Sequence, residues 1–188
     1  LSGVLEATGL SALQAAALLG GASAAAVTDF RTRRIPNLLT GPLWLAGLCW
    51  ATWTGGFAGL GLAFAGSLIL AVPFIVLFIC ARGGAGDAKL MGALGAWVGL
   101  RDAALILLLV AACGVLMGFG YALLRGRAGR VWLHLRQMVY AAWLHRRGLR
   151  SEAREMLPAQ EHMLEMPYAL AVLVGVCVFV GVEMTWLR

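Results

Sequence analysis

Two carboxylates stand apart from the other acidic residues of the chain: Asp29 in V-T-D-F-R-T-R-R-I-P-N and Asp87 in R-G-G-A-G-D-A-K-L-M-G. Each lies where an apolar run gives way to a short polar stretch. An ionisable group is costly to keep at the edge of a membrane, and a functional role is the default reason for it. Brought to one depth, two such groups can do proton chemistry. Like charges at close range cannot both ionise, so one carboxyl stays protonated and serves as an acid while the other serves as a base. Asp87 follows three glycines in the four residues from Gly83 to Gly86. These allow close backbone approach and can set the next side chain against a ligand or a neighbouring helix. The structural alternatives are a helix-end ion pair for Asp29, beside Arg31, Arg33 and Arg34, and a plain turn for the glycines.

The elements that must carry this pair are membrane helices. Of 188 residues, 61% are hydrophobic and 13% charged, with a mean hydropathy of +0.85, whereas a soluble domain has about 45–50% apolar and about 25% charged residues. That excess excludes a water-soluble enzyme, a secreted disulfide scaffold and a disordered tail. Apolar runs at 8–27, 38–55, 57–81, 102–124 and 167–187 are long enough to cross about 30 Å of hydrocarbon, and a shorter one, 88–100, follows the glycine cluster. In lipid the backbone must satisfy its own hydrogen bonds, so each run is helical. The predicted fold is all-α: a polytopic membrane protein with six transmembrane helices in a single membrane-embedded domain over 1–188. The first run lacks a basic leader region and is read as a retained helix rather than a cleaved signal.

Charge orients these helices, because cytoplasmic connections retain Lys and Arg. Of the fifteen, Arg31, Arg33 and Arg34, then Arg82 and Lys89, then eight arginines between Arg125 and Arg154 fall on one side; only Arg101 and Arg188 fall on the other. Both termini are therefore expected outside, and both aspartates at the cytoplasmic rim. The net charge of +6 reads as topology and attraction to an anionic inner leaflet, with no nucleic acid as partner. Within the cytoplasmic loop 125–166, Trp132, Leu135, Val139, Trp143 and Leu144 recur at helical spacing opposite Arg136, Arg146 and Arg147. This predicts an amphipathic helix on the membrane surface between helices 5 and 6. Cys49, Cys80, Cys113 and Cys177 form no C-x-x-C pair and have no histidine near them, so neither a metal nor a cofactor is expected.

G-A-G-D-A-K-L at 84–90, with D-x-R-x-R-R-I-P-N at 29–37 before it and M-P-Y-A-L-A at 166–171 after it, resembles the type IV prepilin peptidase family, the G-x-G-D membrane aspartyl proteases. The G-x-G-D element alone is a weak signal; both motifs in this order make a specific one, and the resemblance runs from about residue 8 to the end. It implies six core helices and a site at the cytoplasmic face of the bacterial inner membrane. It also implies cleavage of the basic leader of prepilin-like proteins, with Asp29 and Asp87 as the catalytic pair activating a water. Gly84, Gly86, Lys89, Arg33, Pro36 and Asn37 are the supporting or substrate-binding candidates. Larger members carry an insert with two C-x-x-C pairs and also methylate the new N-terminus. Neither feature is seen here, and the compact length is similar to the small peptidases of tight-adherence (Flp) pili.

Helix ends suggest roles within the pair. Asp29 closes a helix, whose C-terminal dipole opposes an anion, whereas Asp87 opens one with Lys89 nearby, so Asp87 is expected to be the base and Asp29 the acid. Lys89 reads either as one more inner-side charge or as a group that tunes Asp87 or meets an acidic group of the substrate. Pro36 and Asn37 are expected to start the second helix and to hold Asp29 in place. Two rivals come from other classes. A proton-coupled transporter would need carboxylates near the midplane and paired half-repeats; a non-catalytic pilus or secretion assembly protein would tolerate loss of either aspartate.

Overall fold

The computed structural model describes residues 10–81, 84–124 and 168–186. Among them every element is an α-helix: α1 (Ala12–Thr32), α2 (Asn37–Ala81), α3 (Ala85–Leu124) and α4 (Tyr168–Trp186). All four are long and apolar enough to cross a membrane. Large apolar side chains such as Leu38, Trp53, Phe57, Ile79 and Leu108 are exposed, as lipid solvation allows and water does not. The amphipathic helix expected within 125–166 lies outside the described residues. Residues 1–114 with 167–188 form one compact unit and residues 115–166 another. The described part of the second is the end of α3, where Val115, Leu116, Phe119, Leu123 and Leu124 are exposed. Both aspartates belong to the first.

α1 opens with a capping box: the Ser11 hydroxyl accepts the Gln14 N–H at 3.2 Å, and the Gln14 side-chain oxygen accepts the Ser11 N–H at 3.0 Å. The apolar run at 8–27 predicts an earlier start and an earlier end. The backbone ladder instead runs on through Asp29 and Arg31 to Thr32, and Arg33 closes it in the left-handed conformation at φ 51°. Asp29 is thus part of the last turn of α1, at the helix end expected for it.

Straight helices of 45 and 40 residues would measure about 67 and 60 Å, twice the hydrocarbon thickness. Each of α2 and α3 breaks at one glycine, Gly56 (φ 61°, ψ −150°) and Gly99 (φ 73°, ψ −172°), in a backbone region open essentially to glycine alone. At Gly56 α2 doubles back. A side chain at Gly59 would strike the Ala51 carbonyl, and the Trp44 indole N–H donates to the Ser67 hydroxyl at 3.1 Å across 23 residues of the same element. The gap between the apolar runs 38–55 and 57–81 falls on this glycine. In α3, the short run predicted over 88–100 becomes an arm that begins at Ala85 and stops before Gly99.

That short arm is the centre of the unit, with residues 90–98 all buried. Apolar lipid gives helices no hydrophobic reason to meet, so close packing of small residues and buried hydrogen bonds must hold them. A Cβ on Gly95 would lie 2.5 Å from the Gly66 carbonyl oxygen, and one on Gly47 would lie 2.9 Å from Ala96 Cβ. Trp97 contributes two bonds. Its indole N–H donates to the Leu43 carbonyl at 2.8 Å. Its own carbonyl, near the end of the arm where no further helical N–H follows in register, accepts the Gln14 amide at 2.8 Å. α1 in turn packs along α4 and against α2.

Candidate active site

Four segments remote in sequence converge at one end of this unit: the last turn of α1, the connection to α2, the first turn of α3 and the first turn of α4. The Asp29 carboxylate accepts the Ala169 N–H at 3.4 Å, a contact spanning 140 residues. Ala169 is in the first turn of α4, where backbone donors have no partner within the helix, so α4 turns its positive end toward Asp29. On the backbone side, the Arg33 N–H donates to the Asp29 carbonyl at 2.8 Å. Arg33 therefore joins the site through its main chain.

Asp87 occupies the first turn of α3. Its N–H donates to the Gly84 carbonyl at 3.2 Å, and a Cβ on Gly84 would lie 2.8 Å from Asp87 Oδ2. Gly84 thus leaves room for the carboxylate. Gly86 does a different job: a Cβ there would lie 3.2 Å from Ile35 Cβ, so the glycine lets the start of α3 lie against the α1–α2 connection. The two carboxylates come within electrostatic reach of each other. Each also faces a helix N-terminus, Asp29 that of α4 and Asp87 its own. Helix ends therefore do not separate a base from an acid, because the expectation weighed the end of α1 for Asp29 and the start of α3 with Lys89 for Asp87 but not the start of α4.

Lys89 and Asn37 meet directly, the ammonium donating to Asn37 Oδ1 at 2.9 Å, and so tie the start of α3 to the start of α2. Pro36 opens α2 as expected, its carbonyl accepting the N–H groups of Leu39 and Thr40 at 3.0 and 3.3 Å. A cavity of about 440 Å³ lies beside this connection, lined by Thr28, Thr32, Arg34, Ile35, Pro36 and Asn37. The Thr28 and Thr32 hydroxyls facing it are engaged by carbonyls of α1. If the Lys89 contact positions Asp87, Lys89→Met and Asn37→Ala should each lower turnover about three- to tenfold, and the double variant should lose no more than either alone. Fully additive losses would assign the two residues separate roles.

Two residues of the site carried no signal in residue spacing. Ala169 acts through a backbone N–H, which any residue but proline would supply. Tyr168, beside it, packs edge-on against Phe74 with ring centroids 5.6 Å apart and planes at 65°. Both belong to the M-P-Y-A-L-A segment, whose likeness to the prepilin peptidases assigned them no role.

The profile of the type IV leader peptidase family matches residues 16–119, more than half of the chain and a stretch that includes both aspartates. The chain belongs to the type IV leader peptidase family. Its relatives within that family include a prepilin leader peptidase/N-methyltransferase of Burkholderia pseudomallei strain 1026b, 37% identical over 124 residues, which are 62% of this chain and 40% of that protein. The protein of the same description in strain K96243 matches equally. One from Aeromonas hydrophila is 37% identical over 107 residues, 52% of this chain and 36% of its own length. The chain thus spans about two-fifths of the length of the leader peptidases it matches. No solved structure matches it with significance. The family match ends before α4.

Proposed function

We propose that this chain is a membrane aspartyl endopeptidase that removes the basic leader from type IV, Flp-like prepilins, with Asp29 and Asp87 sharing one proton to activate a water. The observation that supports this reading is that two family-motif acids, 58 residues apart in sequence, stand at the same end of the helical unit and within electrostatic reach of each other. A relay of protons across the membrane would call for acids in the middle of the bundle. Asp29 is instead in the last turn of α1 and Asp87 in the first turn of α3.

In the reaction, the ionised carboxylate takes a proton from water as the water oxygen attacks the scissile carbonyl carbon. The protonated carboxyl donates a hydrogen bond to the carbonyl oxygen, which takes up the electron pair of the C=O bond, and the acid's proton then passes to the leaving amine as C=O re-forms and the carbon–nitrogen bond breaks. A peptide bond inside a helix is shielded by its own hydrogen bonds, so the substrate must be extended at the cleavage point. Its apolar helix remains in lipid and its basic leader in water.

Counting each arm on either side of Gly56 and Gly99, the described helices offer six crossings of the bilayer. The arginine bias supports a position for the acids at the cytoplasmic face of the inner membrane. Lys89, Asn37, Pro36, Arg33, Gly84 and Gly86 support the pair rather than react. Anionic lipid of the inner leaflet is the partner of the arginines between Arg125 and Arg154. The test is direct: detergent-purified protein is mixed with a Flp-type prepilin, and release of the leader is followed by mass spectrometry. Folded protein that leaves the prepilin whole, in detergent and in liposomes alike, would remove the peptidase reading.

A further inference from the structure

Tyr168 is half-buried at the start of α4 and is held from two sides. Phe74 of α2 meets its ring edge-on. On the other side a Cβ on Gly114 of α3 would lie 3.0 Å from its hydroxyl oxygen, so only a residue without a side chain leaves room for the phenol. A ring gripped in this way has one orientation to offer. The residue after it supplies the N–H that holds Asp29, and the phenol itself is within electrostatic reach of Asp87. Among the described residues, no side chain or carbonyl accepts a hydrogen bond from this hydroxyl. A tyrosine hydroxyl drawn partly out of water usually finds a partner. The ionisable groups within electrostatic reach of it are Asp87 and the Cys113 thiol, and the neighbouring Ala169 N–H is already on Asp29.

We propose that Tyr168 is a further catalytic residue, whose O–H donates a hydrogen bond to the carbonyl oxygen of the scissile peptide. The proposal rests on the reading of Asp29 and Asp87 as the catalytic pair. As water adds to the carbonyl carbon, the electron pair of the C=O bond moves onto oxygen. That oxyanion accepts the hydrogen bond, and the phenol keeps its own proton throughout. When the intermediate collapses, the pair returns to re-form C=O as the amine departs with a proton from the acid. A donor already in place where charge develops favours the transition state more than the bound substrate, so it acts on kcat and not on KM.

The decisive variant is Tyr168→Phe, which keeps the ring against Phe74 and Gly114 and removes only the hydroxyl. Its kcat on prepilin should fall between about tenfold and a hundredfold, with KM and the thermal unfolding midpoint unchanged. Tyr168→Leu, which loses the ring contacts, should lower the unfolding midpoint as well. A kcat for Tyr168→Phe within twofold of wild type would overturn the proposal and leave the residue a packing role. Wild-type protein that fails to cut prepilin would overturn the peptidase reading and this proposal with it, a different outcome from an active wild type beside an active Tyr168→Phe. A second measurement separates donation to the substrate from donation to Asp87. The chain has three aspartates, Asp29, Asp87 and Asp102, so selective ¹³C-carboxyl labelling gives three assignable signals. In substrate-free Tyr168→Phe all three should stay where they are in wild type. Displacement of the Asp87 signal would overturn the assignment to the substrate and make Tyr168 a positioning residue for that acid.

Discussion

Asparagine in place of Asp29, or in place of Asp87, is expected to lower prepilin cleavage by about a thousandfold or more. The amide has nearly the shape of the carboxyl but can neither ionise nor give up a proton, so each substitution removes one half of the proton exchange. It also spares the scaffold. An asparagine at position 29 still has a side-chain oxygen to accept the Ala169 N–H, and one at position 87 still fits over Gly84. Both variants should therefore unfold at the wild-type midpoint while releasing no measurable leader. Because acid and base act as a unit, the double variant should be no worse than either single one. Cleavage by either variant at more than a tenth of the wild-type rate would break the paired-acid mechanism and favour a non-catalytic role in pilus assembly.

The second large effect concerns stability. Gly95→Ala would place a Cβ 2.5 Å from the Gly66 oxygen, 2.7 Å from the Gly66 carbonyl carbon and 2.8 Å from Ser67 Cα. All three are main-chain atoms of α2, which cannot swing aside as the end of a flexible side chain can. The expected cost is about 3 kcal/mol, at the upper end of the range for overpacking, measured by unfolding in detergent. Activity should fall too, because the arm that must shift carries Asp87 two turns away. Gly20→Ala is the control, since a Cβ there meets nothing within 4 Å and alanine is the better helix former; it should leave stability equal or slightly raised. An unaltered unfolding midpoint for Gly95→Ala would mean that α2 and α3 do not approach backbone to backbone.

The parts of this molecule legible from its sequence are those that depend on local composition. The gap between two apolar runs fell on Gly56 because hydropathy and backbone geometry fail at the same residue. The second break was displaced, to Gly99 from a gap at Arg101, because hydropathy responds to charge and the chain turned at a glycine two residues earlier. The apolar run likewise stopped at residue 27, short of the helix end, although Asp29 was rightly expected at the C-terminal end of α1. Asp29 interrupts the apolar run but not the hydrogen-bond ladder, which runs on to Thr32. Asp29 and Asp87 stood out because acids are scarce in so apolar a chain. Residue spacing could not supply the pairings across the fold: Lys89 with Asn37, Gln14 with the Trp97 carbonyl, and Asp29 with a main-chain N–H of α4. Nothing in periodicity or charge balance encodes a contact between one side chain and an amide 140 residues later.

That last contact bears on how the protein is made. A growing polypeptide leaves the ribosome N-terminus first, so Asp29 emerges long before the amide that anchors it has been synthesised. Until α4 is inserted, the first acid lacks this tether and the second lacks Tyr168 as a neighbour. A half-translated chain thus carries both acids in an unfinished setting, and the entry of α4 into the bilayer completes it.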